Sequence, residues 1–152
     1  MRVVIQRVTE ASVTWEGGES SIAAGFCVLV GVAETDSDRD ADYLADKILK
    51  LRVFSDEAGK FNRSATQVAA GLLVISQFTL FADARGQNRP SFLKAARPEI
   101  GRPLLERFVD RLRQSGLPVE TGSFGAQMAV RLVNDGPVTL VLSTDDWQTR
   151  IG

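Results

Sequence analysis

A chain of 152 residues with 44% hydrophobic and 24% charged content can bury one sizeable core, and it reads as a single domain spanning residues 1–152. Its net charge of −1 provides no global field that would draw it to nucleic acid or to an anionic membrane. It has no histidine and one cysteine, Cys27, which excludes Ser-His-Asp and Cys-His catalysis, His-based or cysteine-cluster metal sites, and intramolecular disulfides.

Val3 to Val8 and Ser12 to Trp15 predict two strands, with Gly17-Gly18 as a turn signal. The apolar start is short and alternates around Gln6 and Arg7, unlike a signal peptide, and no run approaches transmembrane length. The expected location is therefore cytoplasmic, with no membrane partner. Gly25 to Val32 predicts a fully buried strand, in which Cys27 is an unreactive core thiol. Asp36 to Leu51 predicts a helix, with Ala41, Leu44, Ala45, Ile48 and Leu51 forming one apolar stripe. Asp36, Asp38, Asp40 and Asp42 fall in or near its first turns, where the helix dipole favours negative charge; they read as capping and surface, not as metal ligands.

Leu51 to Ser55 predicts a short strand, Asp56 to Arg63 a polar loop, Leu72 to Leu80 a strand and Ala82 to Pro90 a long loop. A second helix is expected from about Pro98 to Ser115, burying Leu104 or Leu105, Phe108 and Leu112. Pro103 is tolerated near its start, and Gly116 and Pro118 stop it. Pro118 to Thr121, Met128 to Val133 and Val138 to Ser143 complete the strands. The fold class is α+β: mostly antiparallel strands in barrel-like sheets with two covering helices.

Three features bear on function. From Glu34 to Asp46 there are six acids and one arginine; from Arg85 to Arg113 there are eight bases against three acids. The second segment is either a solvated helix face laced with ion pairs or a local phosphate site centred on Arg85 and Arg89. Ile75-Ser76-Gln77-Phe78-Thr79-Leu80 ends an apolar strand in hydroxyls and an amide, which suits a strand end as well as a site, because a lone Ser or Thr without a base is a poor nucleophile. Asn134-Asp135-Gly136-Pro137-Val138-Thr139 separates two alternating runs. Its residues read first as a hairpin turn, and second as a compact, rigid wedge with exposed glycine backbone.

These segments, with Met1-Arg2-Val3-Val4-Ile5-Gln6-Arg7-Val8 and Asn88-Arg89-Pro90-Ser91-Phe92, occur together and in this order, and over nearly the whole length the chain resembles the D-aminoacyl-tRNA deacylases of the bacterial and eukaryotic type. It departs from the family at Lys60-Phe61-Asn62, where members commonly carry Lys-Met-Asn. The resemblance implies a homodimer with active sites at the subunit interface, acting on D-aminoacyl-tRNA at the ester on the 3′-terminal adenosine; because glycine has no side chain for a steric gate to exclude, cleavage of glycyl-tRNA is expected as well. The resemblance also implies a catalytic segment of Ser76, Gln77, Phe78 and Thr79. Gly136 and Pro137, joined by a cis bond, would enter the other subunit's pocket and exclude L-amino acids, with Arg7 bracing the pair and Thr139 beside it. Arg85, Arg89, Phe124 and Gly125 are candidates for holding the RNA end, and no cofactor or metal is implied. Two other readings are a Thr79- or Ser76-dependent esterase and a non-catalytic dimeric module that binds small molecules.

Overall fold

The computed structural model describes residues 1–147. Strand β1 (Arg2–Trp15) is the spine of the sheet. One of its edges is shared by two antiparallel neighbours, β2 (Gly18–Ile22) along Ala11 to Trp15 and β3 (Gly25–Gly31) along Arg2 to Val8. Its other edge carries β8 (Met128–Ser143), antiparallel from Arg2 to Trp15. Beyond β3 the pairing turns parallel, first to β6 (Gly71–Ser76) and then to β7 (Val119–Thr121). Parallel neighbours need crossover connections, and those connections hold the helices: α1 (Asp38–Lys50) between β3 and β6, and α2 (Pro98–Arg113) between β6 and β7. β4 (Phe54–Ser55) and β5 (Phe61–Arg63) form a small separate ladder inside the stretch expected to be a strand and a polar loop.

The predicted helical stripes point inward as expected. Leu44 and Ile48 of α1 and Phe108 and Leu112 of α2 are buried against Val3, Ile5, Phe26 and Leu72 of the sheet. The outward faces settle part of the charge question. Arg107 of α2 pairs with Asp38 and Asp42 of α1 at 3.0 and 2.7 Å, and Arg111 with Asp46 at 2.8 Å. The acidic and basic segments thus meet each other across the two helices. Such exposed pairs are screened and orient the helices more than they stabilise them. Asp36 lies outside α1, where its carboxylate accepts the Ala33 N–H at 2.6 Å and pairs with the Met1 ammonium group.

Three expectations need correction. The two N-terminal strands are one, because an irregularity around Thr9 interrupts the alternation without ending the pairing. The strand expected over Leu72 to Leu80 stops at Ser76, and Phe78–Phe81 forms a 3-10 turn. The largest correction concerns Asn134 to Thr139, which reverses nothing. Asn134 pairs with Val8 and Thr139 with Gln6, so four residues of β8 stand opposite the single residue Arg7, and the strand resumes in the same direction. The segment is an extended bulge, not a hairpin turn.

Cys27 is 1% exposed, and burial pushes its thiol pKa up to about 11. The native protein is therefore expected to resist thiol-directed alkylation near pH 7 and to label stoichiometrically once unfolded. Mass spectrometry with and without denaturant reads this directly, and rapid native labelling would contradict it.

Candidate active site

The catalytic candidates lie where β6 leaves the sheet. Ser76 is the last residue of β6 in register with β3, opposite Val30. The Gln77 N–H donates to Val30 O at 2.7 Å as the final bond of that ladder. The backbone then tightens into the 3-10 turn, closed by Leu80 N–H to Gln77 O at 3.2 Å and Ala82 N–H to Thr79 O at 3.0 Å. The first amides of a helical turn have no carbonyl behind them to bond. The Phe78 and Thr79 N–H groups accordingly have no hydrogen-bond partner among the described residues.

Arg2, which the sequence reading left without a role, secures this turn. Its buried guanidinium donates to Leu80 O at 2.8 Å and pairs with Asp145 at 2.8 Å. It lies between two rings, 4.2 Å from the Phe81 centroid and 4.6 Å from that of Trp147. The stretch after β8, whose Ser143 pairs with Arg2 in the ladder, thus folds over Arg2 and holds it. The trace of this in the sequence is an arginine at the head of the apolar run Val3 to Ile5.

A cavity of about 380 Å³ opens beside the turn, with Ser76, Gln77 and Phe78 on one side and Phe124, Gly125 and Met128 on the other. Ser76, Gln77 and Phe78 of the catalytic candidates and the Phe124-Gly125 pair, 46 residues apart from Phe78 to Phe124, therefore line one cavity. The Phe78 ring is 58% exposed and packs edge-on against Phe92, with centroids 5.1 Å apart, which brings the Asn88 to Phe92 motif to the same place. Thr79 is exposed and does not line the cavity. Its hydroxyl accepts a hydrogen bond from the Gln77 side-chain amide, a donor with no basicity to draw off a proton.

The charged loop fares less well. Arg85 is turned back onto Asp83, its Nε 2.9 Å from the carboxylate, and this contact holds the Asp83 pKa far below its ordinary value. Neither Arg85 nor Arg89 lines the cavity.

The bulge is built around Arg7, which is 8% exposed. Its Nη1 donates to Val53 O at 2.6 Å and its Nε to Asp135 O at 3.0 Å, while the exposed Phe61 ring lies 5.3 Å from the guanidinium. The departure at Phe61 therefore falls on the brace. Asn134 closes the base of the bulge, its Oδ1 accepting the Val138 N–H at 2.8 Å and its Nδ2 donating to Thr139 Oγ1 at 3.0 Å. The Gly136-Pro137 peptide bond is cis. Gly136 has φ +137°, in the region that favours glycine, and a Cβ there would meet Val138 Cγ2 at 2.7 Å. Gly136 and Pro137 are exposed and do not line the cavity of their own chain. They lie opposite Arg7, whereas the cavity reaches Val30, opposite Val3; four residues of strand separate those levels by roughly 14 Å.

Residues 4–143 match the family model described as D-Tyr-tRNA(Tyr) deacylase. The chain belongs to this family. The D-aminoacyl-tRNA deacylase of Chlorobaculum parvum is 54% identical over 147 residues, spanning 95% of this chain and 98% of that one. The D-aminoacyl-tRNA deacylase of Thermomicrobium roseum is 55% identical over 145 residues, spanning 95% and 94%. Among solved structures, one described as c-Myc DNA Unwinding Element Binding Protein superposes with a TM-score of 0.88 at 40% identity, covering 95% of this chain and 99% of that one. A probable eukaryotic D-amino acid tRNA deacylase superposes at a TM-score of 0.82 with 16% identity, covering 93% and 97%, which speaks for the fold alone. As a family member the protein is a deacylase, a hydrolase by class. Among the described residues no helix of this deacylase is long and apolar enough to cross a membrane.

Proposed function

We propose that the protein hydrolyses the ester of D-aminoacyl-tRNA, and of glycyl-tRNA, as a homodimer in which Gly136 and Pro137 of each chain complete the site of the other. The observation that carries this reading is the separation of two prominent motifs. Ser76 to Phe78 border a cavity, while the braced, exposed Gly136-Pro137 bulge projects elsewhere on the same chain. Two copies, each lending its bulge to the other, account for both features. A bulge held by Arg7 at its base is rigid enough to exclude by shape. It would occupy the volume an L side chain requires and leave a D side chain, or the lone hydrogen of glycine, unobstructed.

The chemistry requires little from side chains. An aminoacyl ester is activated by the neighbouring ribose hydroxyl, so the protein needs to place the ester and a water and to stabilise the oxyanion that forms. The unpaired Phe78 and Thr79 amides at the mouth of the turn suit that role, and one such donor is worth about 3 kcal/mol of transition-state stabilisation. The 2′-hydroxyl then carries the proton in a chain that has no histidine.

Purified protein incubated in parallel with D-tyrosyl-, L-tyrosyl- and glycyl-tRNA is expected to cleave the first and third and spare the second. Failure to cleave the D-substrate would overturn the activity. Cleavage of both enantiomers at similar rates would overturn exclusion by the bulge. Intact glycyl-tRNA would require a discriminator besides shape.

A further inference from the structure

Of the eight bases from Arg85 to Arg113, five are held by carboxylates: Arg85 by Asp83, Arg97 by Glu34, Arg107 by Asp38 and Asp42, Arg111 by Asp46 and Arg113 by Asp110. Arg102 of α2 has no carboxylate partner among the described residues. Glu106 stands four residues along the same helix, where an ion pair would ordinarily form, yet the guanidinium lies over the Phe124 ring, 4.6 Å from its centroid. The cation is therefore held in place while its hydrogen-bonding capacity remains free.

Its position gives that capacity a use. A second cavity, of about 550 Å³, is bounded by Arg102, Thr121 and Ser123 and shares Ser76, Leu105 and Phe124 with the first. Phe124 is thus a wall common to both. An RNA end with its terminal ester at Ser76 to Phe78 and its last nucleoside in the first cavity continues in the 5′ direction through a phosphodiester, and the second cavity is the adjoining space. Single-stranded RNA is bound through aromatic or guanidinium surfaces that stack on bases and cations that take phosphates. The planar fork of an arginine suits a phosphate in particular. Glu106 and Asp110 line the same cavity and disfavour phosphates near them, and Arg113 is engaged with Asp110. The cavity consequently suits one nucleotide and not a long strand.

We infer that the cavity beyond Phe124 is a subsite for the nucleotide preceding the terminal adenosine, with Arg102 binding the phosphate that joins the two. This deepens the proposed function and rests on it.

The test compares two minimal substrates, the D-tyrosyl ester of adenosine and the D-tyrosyl ester of the trinucleotide cytidylyl-cytidylyl-adenosine, with wild type and Arg102→Gln. Arg102 is exposed, so the variant should fold, and thermal melting verifies this. Wild type is expected to favour the trinucleotide ester in kcat/KM by about tenfold or more, the scale of one charge-assisted contact. Arg102→Gln is expected to raise KM for the trinucleotide ester about tenfold with kcat held, to leave cleavage of the adenosine ester unchanged, and to flatten the salt dependence of KM. Arg102→Lys should recover part of the loss. An unchanged KM for the trinucleotide ester, or a loss that falls on kcat or equally on both esters, would overturn the subsite. If wild type cleaves no D-ester, D-tyrosyl-tRNA included, the proposed function itself fails, and the subsite with it.

Discussion

Replacing the 2′-hydroxyl of the terminal ribose by hydrogen is expected to slow cleavage of D-tyrosyl-tRNA by about 100-fold or more, the lower range for loss of a general acid–base group. The expectation follows from what borders the ester. Ser76 and Gln77 are the polar side chains of the Ser76 to Thr79 segment that line the cavity, and neither is a base near neutral pH. Thr79 lies outside it, with its hydroxyl accepting from an amide. Single-turnover measurements on the 2′-hydroxy and 2′-deoxy substrates separate chemistry from binding, and equal rates would exclude the substrate as proton carrier. The companion variant Thr79→Ala should stay within about threefold of wild type, since a hydroxyl without a base is a poor nucleophile. Loss of activity in a folded Thr79→Ala protein would instead favour a covalent route.

Arg7→Ala is expected to lower unfolding stability by about 3 kcal/mol and to erode stereochemical selection at the same time. The side chain is buried and satisfies two carbonyls on separate segments, Val53 O and Asp135 O, which alanine would leave without a donor. Arg7→Lys keeps the charge but cannot span both carbonyls with a planar fork, so an intermediate loss is expected. Denaturant midpoints at a fixed protein concentration measure the stability change, because dimerisation would couple the two. The ratio of D- to L-tyrosyl-tRNA cleavage measures selection. A stability change below about 1 kcal/mol, or an unaltered ratio, would show that the bulge keeps its shape without Arg7.

Local patterning was legible wherever one periodicity persisted. The stripes of α1 and α2 and the buried run of β3 follow from apolar spacing alone, and the structure buries those residues. Legibility failed where a strand is irregular. Thr9 breaks the alternation of β1, and Asp135 to Val138 break that of β8, so each strand reads as two. Turn residues cannot separate a reversal from a bulge, because both need the same unusual backbone; only the pairing partner decides. The end of β6 was missed for a related reason. Ser76, Phe78 and Leu80 alternate as a strand would, but β3 stops at Gly31 and offers no further ladder. A solvated helix face laced with ion pairs was one of two open readings of the basic segment; for Arg107 and Arg111 the partners proved to be the acids of α1, which only helix packing could show. The placements of Arg2 and Arg102 were not legible in the sequence, since an arginine held by distant rings leaves no local signature.

The two irregularities of the β1–β8 ladder also constrain each other arithmetically. Thr9 is one extra residue on β1; the four residues facing Arg7 give β8 an excess of three, so the strands slip by two in all. Because side chains alternate with period two, a slip of one would exchange the faces of everything beyond it, whereas a slip of two restores them. Met128 and Leu132 before the bulge and Leu140 and Leu142 after it accordingly all oppose odd-numbered residues of β1, the first two packing with Ala11 and Val13 in one apolar cluster and the last two with Val3 and Ile5 in another. The wedge is therefore quantised in length. A change of two residues in its length keeps Leu140 and Leu142 on the same face as Val3 and Ile5, while a change of one would turn them to the opposite face and out of that cluster.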